Sequence, residues 1–306
     1  MQSILILHKK KIISLKIAIG LPAYNEEKNI GPIILKLKEK FDNILVCDDG
    51  STDLTSNIAE KLNATVIRHE NNKGYGSAIS SLFSKAKEMN FDILVTFDAD
   101  GQHKIEDIFS ILEPIKNNFA DIVIGSRFVG KQSKIPTYRR LGIKTISKFS
   151  NSITNCKIQD SQSGFRAYNK SALEKISPKE SGMGISTEIL IRADEKKLRI
   201  KEIPIEILYT QDSSTHNPVK HGASVMMSTL KYMSLKKPTV FYGFPGICFL
   251  IIGIFFISWS IKIYIDSGTM ITNISLIGIG CIIVGIQLLI TITIINSMII
   301  LFRDSR

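Results

Sequence analysis

Two long runs with almost no charge close this 306-residue chain. Residues 240–261 and 274–302 are each long enough to cross a bilayer, which takes about 20 apolar residues. Isolated polar residues such as Gln287 and Asn296 are the only interruptions of the second run, and the link Lys262–Asn273 holds Lys262 and Asp266. A buried helical pair inside a soluble core is the competing form, and two such runs back to back disfavour it. Lys231, Lys236 and Lys237 precede the first run, and Arg303 and Arg306 follow the second. Positive charge concentrates on the cytoplasmic side of spanning segments. The pattern therefore predicts a two-helix transmembrane hairpin with both ends in the cytoplasm, hence a multi-pass membrane protein whose remaining domain lies on the cytoplasmic face.

The rest of the chain reads as soluble, and four parts are expected. Residues 1–15 form an extension, 16–215 the main globular domain, 216–238 a juxtamembrane amphipathic segment, and 239–306 the hairpin. In the extension the apolar patch Ile4–Leu7 precedes Lys9–Lys11, the wrong order for a signal peptide. The formal net charge of +11 suits an anionic lipid surface or an anionic substrate. No basic tract carries the aromatic spacing of a single-strand nucleic-acid binder. The four cysteines make no C-x-x-C pair, so neither a disulfide framework nor a zinc site is expected, and the soluble part fits a reducing compartment.

Between residues 17 and 125, short apolar strands alternate with helical patterns. Strands are expected at Ile17–Leu21, Asn43–Cys47, Thr65–Arg68, Ile93–Phe97 and Ile122–Gly125. Helices are expected from Pro22–Glu27 to about Phe41, then at Leu54–Leu62 with Asp53 as its cap, at Ser77–Met89 and at 105–117. Such alternation predicts an α/β domain with a largely parallel sheet. Three strands end in polar, acidic loops, and in a parallel sheet those loops share the edge at which open α/β sheets bind ligands. The richest of them is Asp98-Ala99-Asp100-Gly101-Gln102-His103. Two carboxylates one residue apart repel each other unless a cation lies between them. Mg²⁺ or Mn²⁺ is the natural one, because such ions take carboxylates together with substrate phosphates. Gln102 offers a neutral oxygen beside Asp98 and Asp100. The competing reading is an ordinary acidic turn.

The second half is less regular. Residues 139–153 carry Leu141, Thr145, Ile146, Phe149 and Ile153 at helical spacing with Arg139, Arg140, Lys144 and Lys148 between them. This basic amphipathic helix either lies on a membrane surface or faces the core with a solvated basic side. Turn-strand, helix and strand follow at Ser161–Tyr168, Ser186–Lys197 and Ile200–Pro204, then a further amphipathic stretch at Val219–Lys237.

Taken together, Pro22-Ala23-Tyr24-Asn25-Glu26-Glu27, Cys47 through Asp53, Asn72-Lys73-Gly74-Tyr75-Gly76 and Phe97 through His103 resemble the ordered motifs of family 2 glycosyltransferases with the GT-A fold. Gly125-Ser126-Arg127, Arg139-Arg140 and Ser163-Gly164-Phe165-Arg166 extend the resemblance toward the polyprenyl-phosphate branch, similar to dolichyl-phosphate mannose and glucose synthases. Ser214 through Pro218 resembles archaeal members. The match covers about residues 16–210, and the two-helix tail is also typical of that branch.

This resemblance implies a GT-A domain, Rossmann-like with a mostly parallel sheet, followed by the hairpin. It implies a metal-dependent enzyme moving a hexose from a UDP- or GDP-linked donor to polyprenyl or dolichyl phosphate, with inversion. Pro22, Ala23, Tyr24 and Glu26 would hold base and ribose, with Asp48 beneath the base. Asp49, Lys73, Gly74, Asp98 and Ala99 would complete the nucleotide-sugar site. Asp98, Asp100 and Gln102 would bind Mg²⁺ or Mn²⁺ bridging the diphosphate. Arg127 and Arg139 would hold the acceptor phosphate, with Arg166 and Asp100 near the reacting centre. Where relatives carry a basic Gly-x-Ser-Lys loop, this chain has Gln211–Asn217 with His216, then Lys220 and His221. Two other readings stay open: sugar transfer to another lipid or a growing polysaccharide, and a non-catalytic nucleotide-sugar-binding membrane protein. A Rossmann dehydrogenase is excluded, because no G-x-G-x-x-G follows the first strand.

Overall fold

The computed structural model describes residues 15–304 apart from 102, 131–136, 155, 207–225, 228–229, 232–233, 235–237 and 270, with the backbone alone at 137–139, 149, 153 and 302–304. Gln102, His216, Lys220, His221 and most of the amphipathic stretch at 219–237 therefore lie outside what is described. Two compact units divide the chain, one up to residue 229 and one from 230 on.

The first unit is built on one seven-stranded sheet. Strands β1 (Ile17–Ala23), β2 (Asn43–Asp48), β3 (Thr65–Arg68) and β4 (Ile93–Thr96) run parallel, linked by helices α1 (Glu27–Lys38), α2 (Thr55–Lys61) and α3 (Tyr75–Glu88). Beyond β4 come α4 (Asp107–Lys116), β5 (Ile122–Ser126), α5 (Thr137–Ile153), β6 (Arg166–Asn169), α6 (Lys170–Lys175), α7 (Ile185–Glu195) and β7 (Ile200–Pro204). The sheet order is β3-β2-β1-β4-β6-β5-β7, and β6 alone is reversed, pairing antiparallel with β4 and β5. Strand residues alternate between two cores. Ile19, Leu21, Val46 and Val95 pack with Ile30, Ile34 and Leu37 of α1 and with Ile108, Ile111 and Leu112 of α4. Ala18, Leu45, Leu94 and Ile122 pack with Ile79, Leu82 and Phe83 of α3 and with Ile189 and Leu190 of α7. The result is a sheet covered on both faces, as a parallel sheet requires.

Several local expectations change. β1 does not stop at Leu21 but continues through Pro22 and Ala23, in register with Cys47 and Asp48. Alternation turns Pro22 toward β4, whose ladder with β1 ends at Gly20 and Thr96, so its missing N–H breaks no pair. Asp53 sits one residue before the N-cap of α2, and its Oδ1 accepts from the Thr55 amide at 2.9 Å. The strand expected at the end of Ser161–Tyr168 is shifted to Arg166–Asn169. Helix α6, absent from the sequence reading, starts where Asn169 caps it by accepting from the Ala172 amide at 2.8 Å. In α5 the buried face is Ile146, Ser147 and Ser150, whereas Leu141 is 70% exposed.

In the second unit a short π-helical turn (Thr239–Gly243) leads into α8 (Phe244–Ser267), and α9 (Thr272–Asp304) follows. Lys262 and Asp266 therefore lie within α8 rather than in a link, and the helix ends where the Gly268 amide donates to the Tyr264 carbonyl at 2.9 Å. The two helices pack through small residues. Gly253 approaches Gly278 and Ile282, Gly246 approaches Gly285, and Ser260 and Ser275 share a hydrogen bond at 2.7 Å. Small residues at such seams let apolar helices meet closely where lipid surrounds them. Most of their large apolar side chains face outward, Ile265 and Leu301 among them. Both are long and apolar enough to be candidate membrane spans.

Candidate active site

The carboxyl ends of β1, β2 and β4 converge as the parallel arrangement requires. The loop after β1 is tied to the loop after β2. The Asp49 amide donates to the Ala23 carbonyl at 2.9 Å, the Asn25 amide to Ser51 Oγ at 2.9 Å, and the Glu26 amide to Thr55 Oγ1 at 2.8 Å. Tyr24 stands 40% exposed at this edge. Next to it, a cleft of about 250 Å³ is lined by Gly50, Ser51, Arg68, His69 and Glu70. Gly50 has φ +74, and a Cβ there would lie 2.5 Å from the Asn71 carbonyl carbon, so only glycine fits. Asp48 is fully buried beside this cleft. Its Oδ1 accepts from the Ser51 amide at 3.0 Å and its Oδ2 from the Ser56 hydroxyl, with Arg68 Nε 3.8 Å away. Asp49 turns the other way and accepts from the amides of Lys73 at 3.0 Å and Gly74 at 2.7 Å, closing the glycine loop that starts α3.

Asp98 lies two residues beyond β4. Tyr75 Oη donates to its Oδ1 at 3.2 Å, and His103 Nε2 is 3.6 Å from its Oδ2. Burial works against its ionisation, but hydrogen bonding and charge from His103, with Tyr75 and Arg127 adding, hold Asp98 below the usual carboxylate range. Burial and the Asp98 charge push the Tyr75 phenol well above its ordinary value, so it remains a neutral donor. His103 is nearly buried, packed against Phe97 and Phe165, and its Nδ1 meets no partner among the described residues. Ala99 is buried and Asp100 half-exposed beside it. Among the described residues no three His, Cys, Asp or Glu side chains form a ready metal cage. A cation shared with a diphosphate needs only one or two carboxylates from the protein, so the donor set of Asp98 and Asp100 fits Mg²⁺ or Mn²⁺.

Opposite Asp98 comes the loop before β6. A Cβ on Gly164 would lie 2.5 Å from Tyr75 Oη and 2.8 and 2.9 Å from the Asp98 oxygens. Gly164→Ala is therefore expected to displace the carboxylate and lower kcat about a hundredfold, the usual cost of an ~1 Å misplacement, with the far-UV spectrum unchanged. Wild-type turnover in that variant would show that Asp98 has room to move.

The arginines are placed less simply than the sequence implied. Arg166 is 1% exposed and spends its donors on the carbonyls of Ser163 at 2.8 Å, Ser186 at 3.1 Å and Ser161 at 2.7 Å. It is not brought to the surface of the site, and it holds the loop that carries Gly164. Arg127 makes a two-pronged contact with fully buried Asp160, both bonds at 2.6 Å, and its amide donates to the same carboxylate at 3.0 Å. Arg127 outweighs burial and keeps Asp160 below the ordinary carboxylate range. Arg139 belongs to α5, and its side chain lies outside what is described. His69, Tyr75, His103 and Asp160 are contributors that sequence reasoning missed. Tyr75 and His103 had a signal, their places in the glycine loop and in the Asp-x-Asp loop.

A covered parallel sheet with an Asp-x-Asp at its carboxyl edge and a cleft two strands away defines a GT-A glycosyltransferase domain. The chain belongs to glycosyl transferase family 2, whose family profile matches residues 18–177. It is 36% identical over 229 residues, covering 68% of this chain and 89% of its relative, to a UDP-N-acetylglucosamine–dolichyl-phosphate N-acetylglucosaminyltransferase of Methanococcus voltae. It is 29% identical to a dolichyl-phosphate hexose transferase of Haloferax volcanii, covering 70% of this chain and 92% of that one. Among solved structures, it shares its fold with glucosyl-3-phosphoglycerate synthase of Mycobacterium tuberculosis in complex with Mn²⁺, UDP-glucose and phosphoglyceric acid. The TM-score is 0.55 at 19% identity, covering 71% of this chain and 79% of the other.

Proposed function

We propose that this glycosyltransferase moves a hexose or N-acetylhexosamine from a UDP- or GDP-linked donor to polyprenyl or dolichyl phosphate, with inversion, from a catalytic domain on the cytoplasmic face of the membrane. The observation that carries the reading is Asp98 held ionised by Tyr75 and His103 at the carboxyl edge of the sheet, with Arg127 within electrostatic reach. The cleft beside Ser51 and His69 has the size for a nucleobase, and the loop that carries Tyr24 and Glu26 is tied to Ser51 and Thr55 by the amides of Asn25 and Glu26. Asp98 and Asp100 would hold a divalent cation, which supplies Lewis-acid neutralisation of the leaving diphosphate. A phosphate monoester has its second pKa near 6, so the acceptor is largely anionic at neutral pH and no strong general base is needed. What the site then needs is cations that orient that phosphate. Arg127 and Arg139 would supply that positive charge, the residue type suited to orienting a phosphate. Arg166 fixes the loop opposite Asp98.

The direct experiment incubates membranes containing the full chain with polyprenyl phosphate and labelled UDP-N-acetylglucosamine, UDP-glucose or GDP-mannose, with Mg²⁺, Mn²⁺ or EDTA. One labelled sugar lipid that disappears in EDTA is the expected product. Absence of any lipid product across the panel would reject the acceptor, and full activity in EDTA would reject the metal.

For the membrane arrangement, single cysteines at Ser267 and Ser305 in a chain lacking its native four are expected to differ. Ser267→Cys should react with an impermeant maleimide from outside, and Ser305→Cys only after permeabilisation. The reverse pattern would invert the topology.

A further inference from the structure

His69 faces two ways. It is the first residue after β3, and the β2–β3 ladder places it, its amide donating to the Asp48 carbonyl at 2.9 Å. One part of the residue lines the cleft. The ring itself is enclosed, with the side chain only 8% exposed. Nδ1 is 2.6 Å from Asp49 Oδ1, and a carboxylate only accepts, so Nδ1 carries the proton. Nε2 meets the Ser81 hydroxyl at 2.8 Å, with Cys47 Sγ 3.7 Å away. Burial pushes the Cys47 thiol up to about 12, so it stays neutral.

Asp49 is the shared partner. It takes the imidazole from the cleft side and the amides of Lys73 and Gly74 from the loop side. Gly74 is the N-cap of α3, and the next residue, Tyr75, donates to Asp98. An unbroken line of short contacts therefore runs from the cleft wall to the Asp-x-Asp edge, through His69, Asp49, Gly74, Tyr75 and Asp98.

We propose that His69 is a positioning residue that couples occupation of the cleft by a nucleobase to the setting of Asp98 at the diphosphate end. This rests on the nucleotide-sugar reading above. A ligand pressing on His69 acts on Asp49, and Asp49 fixes the glycine loop that aims Tyr75. The two ends of one donor then bind cooperatively, and a sugar phosphate without the base is a poor ligand. Coupling of this kind is carried by packed, hydrogen-bonded elements whose arrangement both sites bias.

The test uses the full chain in detergent. UDP and GDP are titrated calorimetrically with and without Mn²⁺, beside kinetics with the donor varied. His69→Ala should weaken metal-free nucleotide binding by roughly tenfold, the size of one charge-assisted hydrogen bond. It should also raise severalfold the Mn²⁺ concentration that half-saturates the nucleotide complex. His69→Asn, whose amide can still donate to Asp49, should recover most of both effects. Tyr75→Phe should raise the Mn²⁺ requirement and leave metal-free nucleotide binding as in wild type. If His69→Ala changes nucleotide affinity but not the Mn²⁺ requirement, His69 is only a wall of the cleft and the coupling is overturned. The same follows if His69→Asn does no better than alanine, or if both variants lose thermal stability with unchanged binding. Should wild-type protein bind neither nucleotide, the reading of the site falls first and the coupling with it. Wild-type binding and turnover beside an unaffected His69→Ala sinks the coupling alone.

Discussion

Asp98→Asn is expected to lower kcat about a thousandfold or more, with the fold intact. A Lewis acid on the leaving diphosphate is worth several kcal/mol, and each ~1.4 kcal/mol is a decade in rate. The substitution is close to isosteric, so the contact with Gly164 survives. Asparagine Oδ1 can still accept from Tyr75, so the loop is held as before. What disappears is the negative charge that His103, Tyr75 and Arg127 stabilise. Asp100→Asn should behave in the same way, because a cation between two carboxylates needs both charges. Tyr75→Phe should cost far less, since it removes one neutral donor. The measurement is kcat against Mg²⁺ or Mn²⁺ concentration, beside a thermal melt. Normal turnover in Asp98→Asn at any metal concentration would end the assignment of this edge to the diphosphate. A lost melt would show instead that Asp98 is structural.

The parts of the fold that the sequence announced are those whose cause is local. β1, β2 and β4 are short apolar runs, and their acidic loops meet because consecutive parallel strands place their carboxyl ends together. Helix ends were also legible to within a residue or so at α2, α3 and α4. Asn63, Asn90 and Asn118 follow those helices at φ 54, 53 and 56, a left-handed conformation that asparagine tolerates better than most residues. What stayed hidden depends on partners distant in sequence. β6 is four residues long and sits between β4 and β5 with reversed direction, which no periodicity reveals. Arg166 looked like a substrate residue because arginine suits phosphate, yet three carbonyls from 161, 163 and 186 enclose it. The buried face of α5 is marked by serines rather than by Leu141. His69 and Asp160 carry no motif. Each acquires a role only when a strand or loop some 20 to 33 positions away brings up its carboxylate or guanidinium.

The Arg127–Asp160 pair is where stability and acceptor binding can be separated. Removing one partner of a buried ion pair leaves an uncompensated charge and costs about 3–5 kcal/mol. Arg127→Met is therefore expected to destabilise strongly, since fully buried Asp160 loses both side-chain donors. Adding Asp160→Asn removes that charge and keeps an oxygen for the residue 127 amide, which donates to Asp160 at 3.0 Å. The double variant should regain most of the lost stability. The pH dependence follows from the lowered folded pKa of Asp160. The stabilisation that the ionised pair contributes is present above about pH 4, the ordinary carboxylate value. It is lost as pH falls through the folded value, so the gap between wild type and double variant should close in acid. Activity should not follow stability. If Arg127 also orients the acceptor phosphate, the double variant stays down by roughly tenfold to a hundredfold in kcat/KM for polyprenyl phosphate, while the donor KM moves little. Arg127→Lys should rescue only part of this, because lysine keeps the charge and loses the planar fork. A double variant that regains activity together with stability would make Arg127 a purely structural partner of Asp160. A donor-only defect would assign its charge to the diphosphate side, where Asp98 already feels it.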